Sequence, residues 1–409
     1  MKRMNTSIPN NEHGHMKRLL EIALVSTRLG LTSFGGPIAH LGYFHEEYVR
    51  RRKWLNEQHY ADLVALCQFL PGPASSQVGI GIGVIRGGVL GGIISFLGFT
   101  LPSVIALIIF ALIVQHMSVD GAGWLHGLKL VAVAIVAQAI VSMAQKLTPD
   151  LKRKTIALLA MVGTLLWQTA YSQLVIIVVA GLIGYRLYRQ RETRETMEDR
   201  PNVQFPVSRQ TGAICLLVFF ALLAGLPVLR ELTSLHWVAM VDSFYRAGSL
   251  VFGGGHVVLP LLEREFVPNG QLSAQAFLAG YGATQAVPGP LFTFAAYLGT
   301  VMEGWAGGMM ATVAVFLPAF LLVLGALPFW NDLRRNIAIQ GAFMGVNAAV
   351  VGMLIAAWYD PIWTSSIFKP IDFAMAAILF SMLVYWKLSP WIVVVTGAVG
   401  GLLLTMVTG

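Results

Sequence analysis

Charged residues are scarce in this chain. Its 409 residues include 20 acidic and 28 basic side chains, or 12% charged, whereas about 25% is typical of soluble proteins. The stretches 87–115, 155–185, 304–330 and 337–359 carry no charge at all, and each exceeds the roughly 20 residues that cross a bilayer as a helix. Because backbone in lipid must satisfy its own hydrogen bonds, these stretches predict helices. The chain is predicted to be an all-α integral membrane protein, not a membrane β-barrel.

Cysteine is nearly absent, and so are the motifs of enzymes. Cys67 and Cys215 lie in or beside apolar segments, so no disulfide framework is expected. No GxxxxGK[ST] phosphate loop, HExxH zinc motif or GxSxG nucleophile motif occurs. We therefore expect no cofactor, no metal site and no catalytic residue. The remaining enzyme alternative is a membrane transferase with carboxylates at the interface.

Acidic residues are outnumbered, which gives a net charge of +8. The excess Lys and Arg lie mostly in short segments beside apolar runs, as in the cytoplasmic loops of membrane proteins. We therefore expect these charges to face a lipid bilayer and not a nucleic acid.

The two halves of the chain repeat one set of features. Arg28 to Pro37 reads RLGLTSFGGP and aligns with Arg246 to Gly255, which reads RAGSLVFGGG. About forty residues after each arginine, Gln68 to Pro73 reads QFLPGP and Gln285 to Pro290 reads QAVPGP. One order of features at an offset of 216 to 218 residues indicates an internal duplication.

The duplication divides the chain into four regions. We expect an N-terminal repeat over 17–189 and a C-terminal repeat over 236–408. Between them, we expect 190–210 to be a cytoplasmic linker, because it contains the most polar stretch of the chain, 192–200 (ETRETMEDR). We expect 211–229 to be an extra membrane helix without a counterpart in the first half.

Loop charges predict that the two repeats are inverted. The loop after the first glycine motif holds Arg50 to Lys53, whereas its counterpart, 263–275, is net acidic. Since basic loops stay in the cytoplasm, equivalent loops lie on opposite sides of the membrane. We expect broken or re-entrant helices, about 9 to 13 membrane segments, a cytoplasmic N-terminus and a periplasmic C-terminus. The alternative, thirteen full crossings, places the Arg50–Lys53 loop outside.

Two proline–glycine–proline triplets interrupt apolar segments and are the first candidate substrate ligands. Proline removes a backbone donor and glycine permits unusual dihedrals, so each triplet should break its helix. The helix that restarts after the break presents free N–H groups and partial positive charge, which suit an anion. The alternative is a kink that serves packing alone. The triplets are Pro71, Gly72 and Pro73, and Pro288, Gly289 and Pro290.

The glycine motifs and their arginines are further candidates. A guanidinium within a membrane segment is costly, and its planar donors match an oxyanion. The alternatives are a helix C-cap for the glycines, and snorkelling or pairing with Glu21 or Asp242 for the arginines. The residues are Arg28, Phe34, Gly35, Gly36 and Pro37, and Arg246, Phe252, Gly253, Gly254 and Gly255.

Titratable and amide side chains near these motifs complete the set. Histidine or a desolvated glutamate can carry protons near neutral pH, although ordinary surface charge is the alternative. The proton-coupling candidates are His40, Glu46, Glu47, His256, Glu263 and Glu265. Gln68 and Gln285 could donate to an oxyanion or simply join helices.

The paired motifs resemble the chromate ion transporter family, specifically its long-chain, two-domain efflux permeases. Phe34-Gly-Gly-Pro37 with Pro71-Gly-Pro73, repeated as Phe252-Gly-Gly-Gly255 with Pro288-Gly-Pro290, carries the resemblance over roughly residues 17 to 408. It departs at Gly255, where the first half has Pro37. The resemblance implies a bacterial inner-membrane protein that exports chromate, driven by the proton motive force, with sulfate as competitor, and it confers chromate resistance. A homodimer is left open.

The residues themselves leave three functions open besides chromate export. These are transport of sulfate or another tetrahedral oxyanion, a passive anion channel, and the membrane enzyme. Chromate and sulfate share their charge and shape, so the candidate ligands do not separate one from the other.

Overall fold

A computed structural model describes residues 12–34, 36–116, 123–167, 172–188, 205–233, 235–252, 258–333 and 336–408, and these residues are helical without any strand. Five stretches are long and apolar enough to cross a membrane: Ala74–Gln115, Gly123–Leu147, Arg209–Leu232, Leu291–Phe329 and Ala338–Trp363. The prediction of an all-α, multi-pass membrane protein is confirmed.

The first half contains seven helices among the described residues. They are α1 (Glu12–Thr32), α2 (Gly36–Phe44), α3 (Glu57–Phe69), α4 (Ala74–His116), α5 (Gly123–Leu147), α6 (Leu151–Leu166) and α7 (Ser172–Tyr188), with a π-helical turn over His45–Arg51.

Among the described residues between the two halves, one helix occurs, α8 (Arg209–Leu232). The helices described there are α9 (His236–Leu250), α10 (Val258–Phe266), α11 (Ala274–Thr284), α12 (Phe294–Ala326), α13 (Trp330–Leu333), α14 (Ile337–Ala357), α15 (Pro370–Val384) and α16 (Pro390–Thr408).

Polar caps start the equivalent helices of both halves. The Asn56 side chain accepts the His59 N–H at the start of α3, and the Ser273 hydroxyl accepts the Ala276 N–H at the start of α11. Such a cap satisfies one of the orphan donors of a first turn. The two caps stand 217 residues apart, so they fall within the offset of the duplication.

The long helices α4 and α12 are hairpins. Gly88 (φ 67°, ψ −165°) and Gly304 (φ 65°, ψ −166°) break them with nearly identical dihedrals. The Ser95 hydroxyl donates to the Gly79 carbonyl at 2.8 Å, whereas sixteen residues of straight helix span about 24 Å. Each hairpin therefore has a short limb, 74–86 or 294–302, that runs back along a long limb.

The turns of the two hairpins lie at opposite ends of the long limb of α4. Beside the first turn, Arg86 lies 3.3 Å from Glu21. At the far end of the limb, the Gln115 amide donates to the Val301 carbonyl at 2.8 Å, next to the second turn. A limb of this length spans about 40 Å as a helix. The two hairpins therefore point in opposite directions.

The chain also doubles back after α1 and after α9. Arg52 lies 2.8 Å from Glu21 although 31 residues separate them. Arg246 of α9 forms an ion pair with Glu265 of α10. The short helices α2 and α10 therefore run back alongside the helices that precede them.

The two halves exchange their last helices. Helix α5 packs on α15 and α16, whereas α14 packs on α6 and α7. The crossings use small residues, because the Gly127 Cα faces the Gly397 carbonyl and the Gly345 Cα faces the Ala180 carbonyl. Gly345 stands 218 residues after Gly127, so the duplication includes these crossings. Small residues at such crossings let two helix backbones approach closely.

Candidate functional site

The two proline–glycine–proline loops have the same backbone shape. Gly72 has φ 114° and Gly289 has φ 106°, values that side chains rarely permit. Each loop ends a short helix, α3 or α11, and precedes the short limb of a hairpin. The predicted breaks therefore occur in both halves at these triplets.

Reciprocal hydrogen bonds join each loop to the other half. The Gly72 N–H donates to the Val251 carbonyl at 2.6 Å, and the Gly289 N–H donates to the Ser33 carbonyl at 2.9 Å. Ser33 and Val251 directly precede Phe34 and Phe252 of the glycine motifs. The structure thus joins each loop to the residue just before the other half's glycine motif, and we call the region of these contacts between the halves the centre.

The loops also lie against the long limbs of the opposite hairpins. A Cβ added at Gly289 would stand 2.7 Å from the Ser103 hydroxyl of α4, and one added at Gly72 would stand 3.6 Å from Ala319 of α12. Ser103 follows Pro102 and Ala319 follows Pro318, so these contacts obey the same repeat. Four elements from two halves therefore converge here.

The short limb of α4 presents donors to this centre. Its first turn, Ala74 to Ser76, has N–H groups without acceptors within the helix, and the first helical bond is that of Gln77 N–H to the Pro73 carbonyl. The Gln77 amide donates to the Pro71 carbonyl at 2.7 Å and closes the loop. These free N–H groups carry the partial positive charge of a helix N-terminus.

Several buried polar atoms at this centre have no hydrogen-bond partner among the described residues. An unsatisfied buried donor or acceptor costs about 1–3 kcal/mol, so a group of them indicates a place for a ligand or water. The atoms are Ser33 Oγ, His40 Nε2, Ser76 Oγ, Gln77 Oε1, Thr100 Oγ1 and Gln285 Nε2.

The two glutamines of the motifs differ in their surroundings. Gln285 is buried, whereas Gln68 is exposed. Gly36 has φ 79° at the start of α2, and Pro37 is half-buried. Gly35, Gly253, Gly254, Gly255 and His256 lie outside the described residues.

The two motif arginines are each paired with carboxylates of their own half. Arg28 is 60% exposed and lies 3.9 Å from Glu47. Arg246 is 19% exposed and pairs with Asp242 and Glu265. Among the described ion pairs, none links the partners of one arginine to those of the other. The structure therefore does not bring Arg28 and Arg246 together at a shared carboxylate.

The proton-coupling candidates differ in burial. Glu46 is half-exposed beside Arg50 and Arg51, whereas Glu47 is buried against Arg52. Burial of Glu263 on the short helix α10 raises its pKa to about 7, although neighbouring Arg264 opposes the shift. Burial lowers the pKa of His40 to about 4, so His40 is neutral at pH 7.

A cavity opens near the second hairpin turn. Its volume is about 660 Å³, and Gln115, His126, Lys129 and Tyr297 line it. The Lys129 ammonium is buried and donates to the Ser365 carbonyl at 3.1 Å. Histidine 126 pairs with Asp372 at 2.8 Å.

Sequence reasoning did not find the hydroxyl groups of Ser33, Ser76 and Thr100. Serine and threonine within apolar helices usually bond a carbonyl of their own helix. Nothing in the sequence distinguishes Ser33 and Thr100 from the serines and threonines whose hydroxyl groups are bonded. Ser76 differs, because it closely follows Pro73 and so lies at the start of a broken helix.

Comparison with known proteins gives this architecture a family. The family model described as Chromate transporter matches residues 20–185 and 238–402, one region in each half. No solved structure matches.

Curated relatives match most of the chain. An uncharacterised transporter of Methanocaldococcus jannaschii is 26% identical over 82% of this chain and 83% of its own length. A probable chromate transport protein of Synechococcus elongatus is 29% identical over 81% of both chains. A chromate transport protein of Pseudomonas aeruginosa is 28% identical over 81% of this chain and 78% of its own. With both halves matched, the chain belongs to the chromate transporter family, in its long form with two repeats.

Proposed function

We propose that this protein is a secondary transporter that exports chromate, driven by the proton motive force, and so confers chromate resistance. The observation that carries the proposal is the pair of reciprocal bonds of the proline–glycine–proline loops, each to the residue just before the glycine motif of the other half. Family membership and the names of the chromate transport relatives support the substrate.

An anion suits the place where the loops meet. The N–H groups after Pro73 are free donors at a helix N-terminus, which attracts negative charge. The residues that surround this place are Gly72 and Gly289, the residues beside them, and Gln285. A tetrahedral dianion satisfies such donors from several directions. Sulfate has the same charge and outline, so a sulfate or general oxyanion transporter is the second candidate.

Opposed hairpins support an arrangement of inverted repeats over 17–189 and 236–408. Arg86, Glu21 and Arg52 share one end of the α4 long limb with the basic loop at residues 50–53. Glu303 and His236 form the corresponding pair next to the second turn. Because basic loops stay in the cytoplasm, the first end is cytoplasmic and the second periplasmic, in a bacterial inner membrane.

The same assignment orients the termini and the linker. Helix α1 starts on the cytoplasmic side, near Glu21. The end of α16 lies on the other side, because Gly401 contacts Gly123 at the start of α5. The linker 190–210 is cytoplasmic and α8 crosses once. Rocking of the halves about the central loops then alternates access to the anion.

Glu263 is the proposed proton carrier. With a pKa of about 7, its carboxyl group gains and loses a proton near physiological pH. It lies on α10, in the half whose hairpin turn we assign to the periplasmic side, so it takes up a proton on the more acidic side. Release toward the cytoplasm would then drive the anion outward.

Everted membrane vesicles test the proposal. We expect labelled chromate to accumulate inside vesicles that contain the protein, to stop accumulating when an uncoupler collapses the pH gradient, and to be displaced by excess sulfate. Uptake that only equilibrates and ignores the uncoupler would indicate a channel. Uptake equal to that of vesicles without the protein would refute the assignment to chromate.

A further inference from the structure

Equivalent buried positions of the two halves differ in polarity. The duplication pairs Ser33 with Val251, His40 with Val258, and Thr100 with Phe316. All six are buried, with at most 1% of each residue exposed. The first half therefore places hydrogen-bonding groups where the second half places aliphatic or aromatic groups.

The short limbs begin with the same contrast. After Pro73 the chain reads Ala-Ser-Ser-Gln, and after Pro290 it reads Leu-Phe-Thr-Phe. Ser76 has no hydrogen-bond partner among the described residues, whereas the Thr293 hydroxyl donates to the Pro290 carbonyl at 2.7 Å. Only the first limb thus combines a free first turn with an unsatisfied hydroxyl.

Contacts gather the polar groups of the first half around one place. The His40 Nδ1 lies 3.3 Å from the Ser75 hydroxyl, and the His40 ring packs edge-on against Phe99, the neighbour of Thr100. The Ser33 carbonyl accepts the Gly289 N–H. The segments that carry Ser76 and Thr100 therefore both touch His40, and Ser33 bonds the loop at Gly289, which also lies against Phe99.

Buried threonines of the second half have no spare hydrogen-bonding capacity of this kind. The hydroxyl of Thr300 donates to the Ala296 carbonyl and that of Thr312 donates to the Gly308 carbonyl, both at 2.7 Å. A hydroxyl bonded one turn back along its own helix is satisfied and leaves no unmet demand for a ligand.

We infer that the transported oxyanion binds off the axis that relates the two repeats, nearer to the first half. Its ligands are the hydroxyl groups of Ser33, Ser76 and Thr100 and the free N–H groups of the first turn of α4. The second half contributes the Gln285 amide and otherwise an apolar wall. This inference rests on the proposed function, since it assigns the ligands of the same anion.

Neutral donors have a consequence for transport. The charge of the anion is met by dipoles and hydroxyl groups, and Arg28 and Arg246 remain bound to their carboxylates. Hydrogen bonds to a charged group are shorter and stronger than those between neutral groups. Several of them hold a dianion without a permanent counter-charge, so that it is released when the halves move.

Paired substitutions test this asymmetry. Thr100→Val and Ser76→Ala should each raise the KM for chromate uptake about tenfold or more, the change expected when one bond to an anion is lost. Thr312→Val, which alters another buried threonine but in the second half, should leave KM within about twofold. Ser76→Thr retains a hydroxyl group and should restore most of the affinity.

Binding is measured separately from transport. The thermal unfolding of purified protein is followed with increasing chromate or sulfate, which also shows whether each variant folds. Folded Thr100→Val and Ser76→Ala proteins with wild-type KM and wild-type stabilisation by the anion would overturn the inference, while uptake by the wild type would still support the proposed function. If the wild-type protein itself takes up no chromate, the proposed function is refuted instead.

Discussion

Gly88 and Gly304 show how single residues set the direction of the chain. Both have positive φ with ψ near −165°, a region open essentially only to glycine. No heavy atom lies within 4 Å of a Cβ added at either position. The requirement for glycine is therefore a property of the backbone turn and not of crowding, and it keeps a short limb folded against a long one.

Replacement of these glycines should destabilise the protein through the backbone alone. Gly88→Ala is expected to cost about 1–3 kcal/mol, the range for a residue held in this region, and to lower the melting temperature of the purified protein. Gly225→Ala is the control, since Gly225 also has open space around its Cα but lies in regular helix α8. Equal melting temperatures for the two variants would contradict this account.

Glu263 predicts a pH dependence of stability with a definite sign. Its raised pKa means that the folded protein holds a proton that the unfolded chain releases above its ordinary value, so stability falls as pH rises from about 4.5 to 7. Glu263→Gln removes this loss. The variant should therefore gain in melting temperature over the wild type more at pH 8 than at pH 5. The same gain at both pH values would disprove the assigned titration.

At the scale of elements, the sequence predicted where helices lie better than it predicted which helices pack against each other. The charge-free stretch 87–115 corresponds to the long limb of α4. Length and composition suffice for such predictions.

Packing between elements was not predictable in the same way. The chain has 42 glycines, and spacing alone does not tell a crossing point such as Gly127 from a glycine that faces lipid. The packing of α5 on α15 and α16, and of α14 on α6 and α7, depends on which helix surfaces meet in three dimensions, and the sequence does not show this. The same holds for Ser33 and Thr100, whose lack of a partner depends on the elements packed around them.

The helix crossings give a prediction for α5. A Cβ at Gly127 would overlap the Gly397 carbonyl of α16, so Gly127→Leu forces the two backbones apart. Overpacking of this kind costs about 1–3 kcal/mol or more. The variant should melt at a lower temperature than the wild type, whereas Gly225→Leu, on the open side of α8, should not. A folded Gly127→Leu protein of wild-type stability would exclude a close α5–α16 crossing.

The whole molecule adds a constraint that neither half carries alone. Each proline–glycine–proline loop is bonded to the other repeat. Helix α5 of the first repeat packs on α15 and α16 of the second, and α14 of the second packs on α6 and α7 of the first. The repeats therefore form one interlocked unit.

The proposed orientation makes a direct prediction about labelling from the two sides of the membrane. Arg51 and Gln271 are both exposed, in equivalent loops that follow the glycine motifs. With Cys67 and Cys215 replaced by alanine, Arg51→Cys should react with an impermeant thiol reagent only in everted vesicles and Gln271→Cys only in intact cells. Opposite faces are required because the two hairpin turns lie about 40 Å apart along α4. Labelling of both positions from the same side would overturn the inverted arrangement, and the alternating-access mechanism would then lose its structural basis.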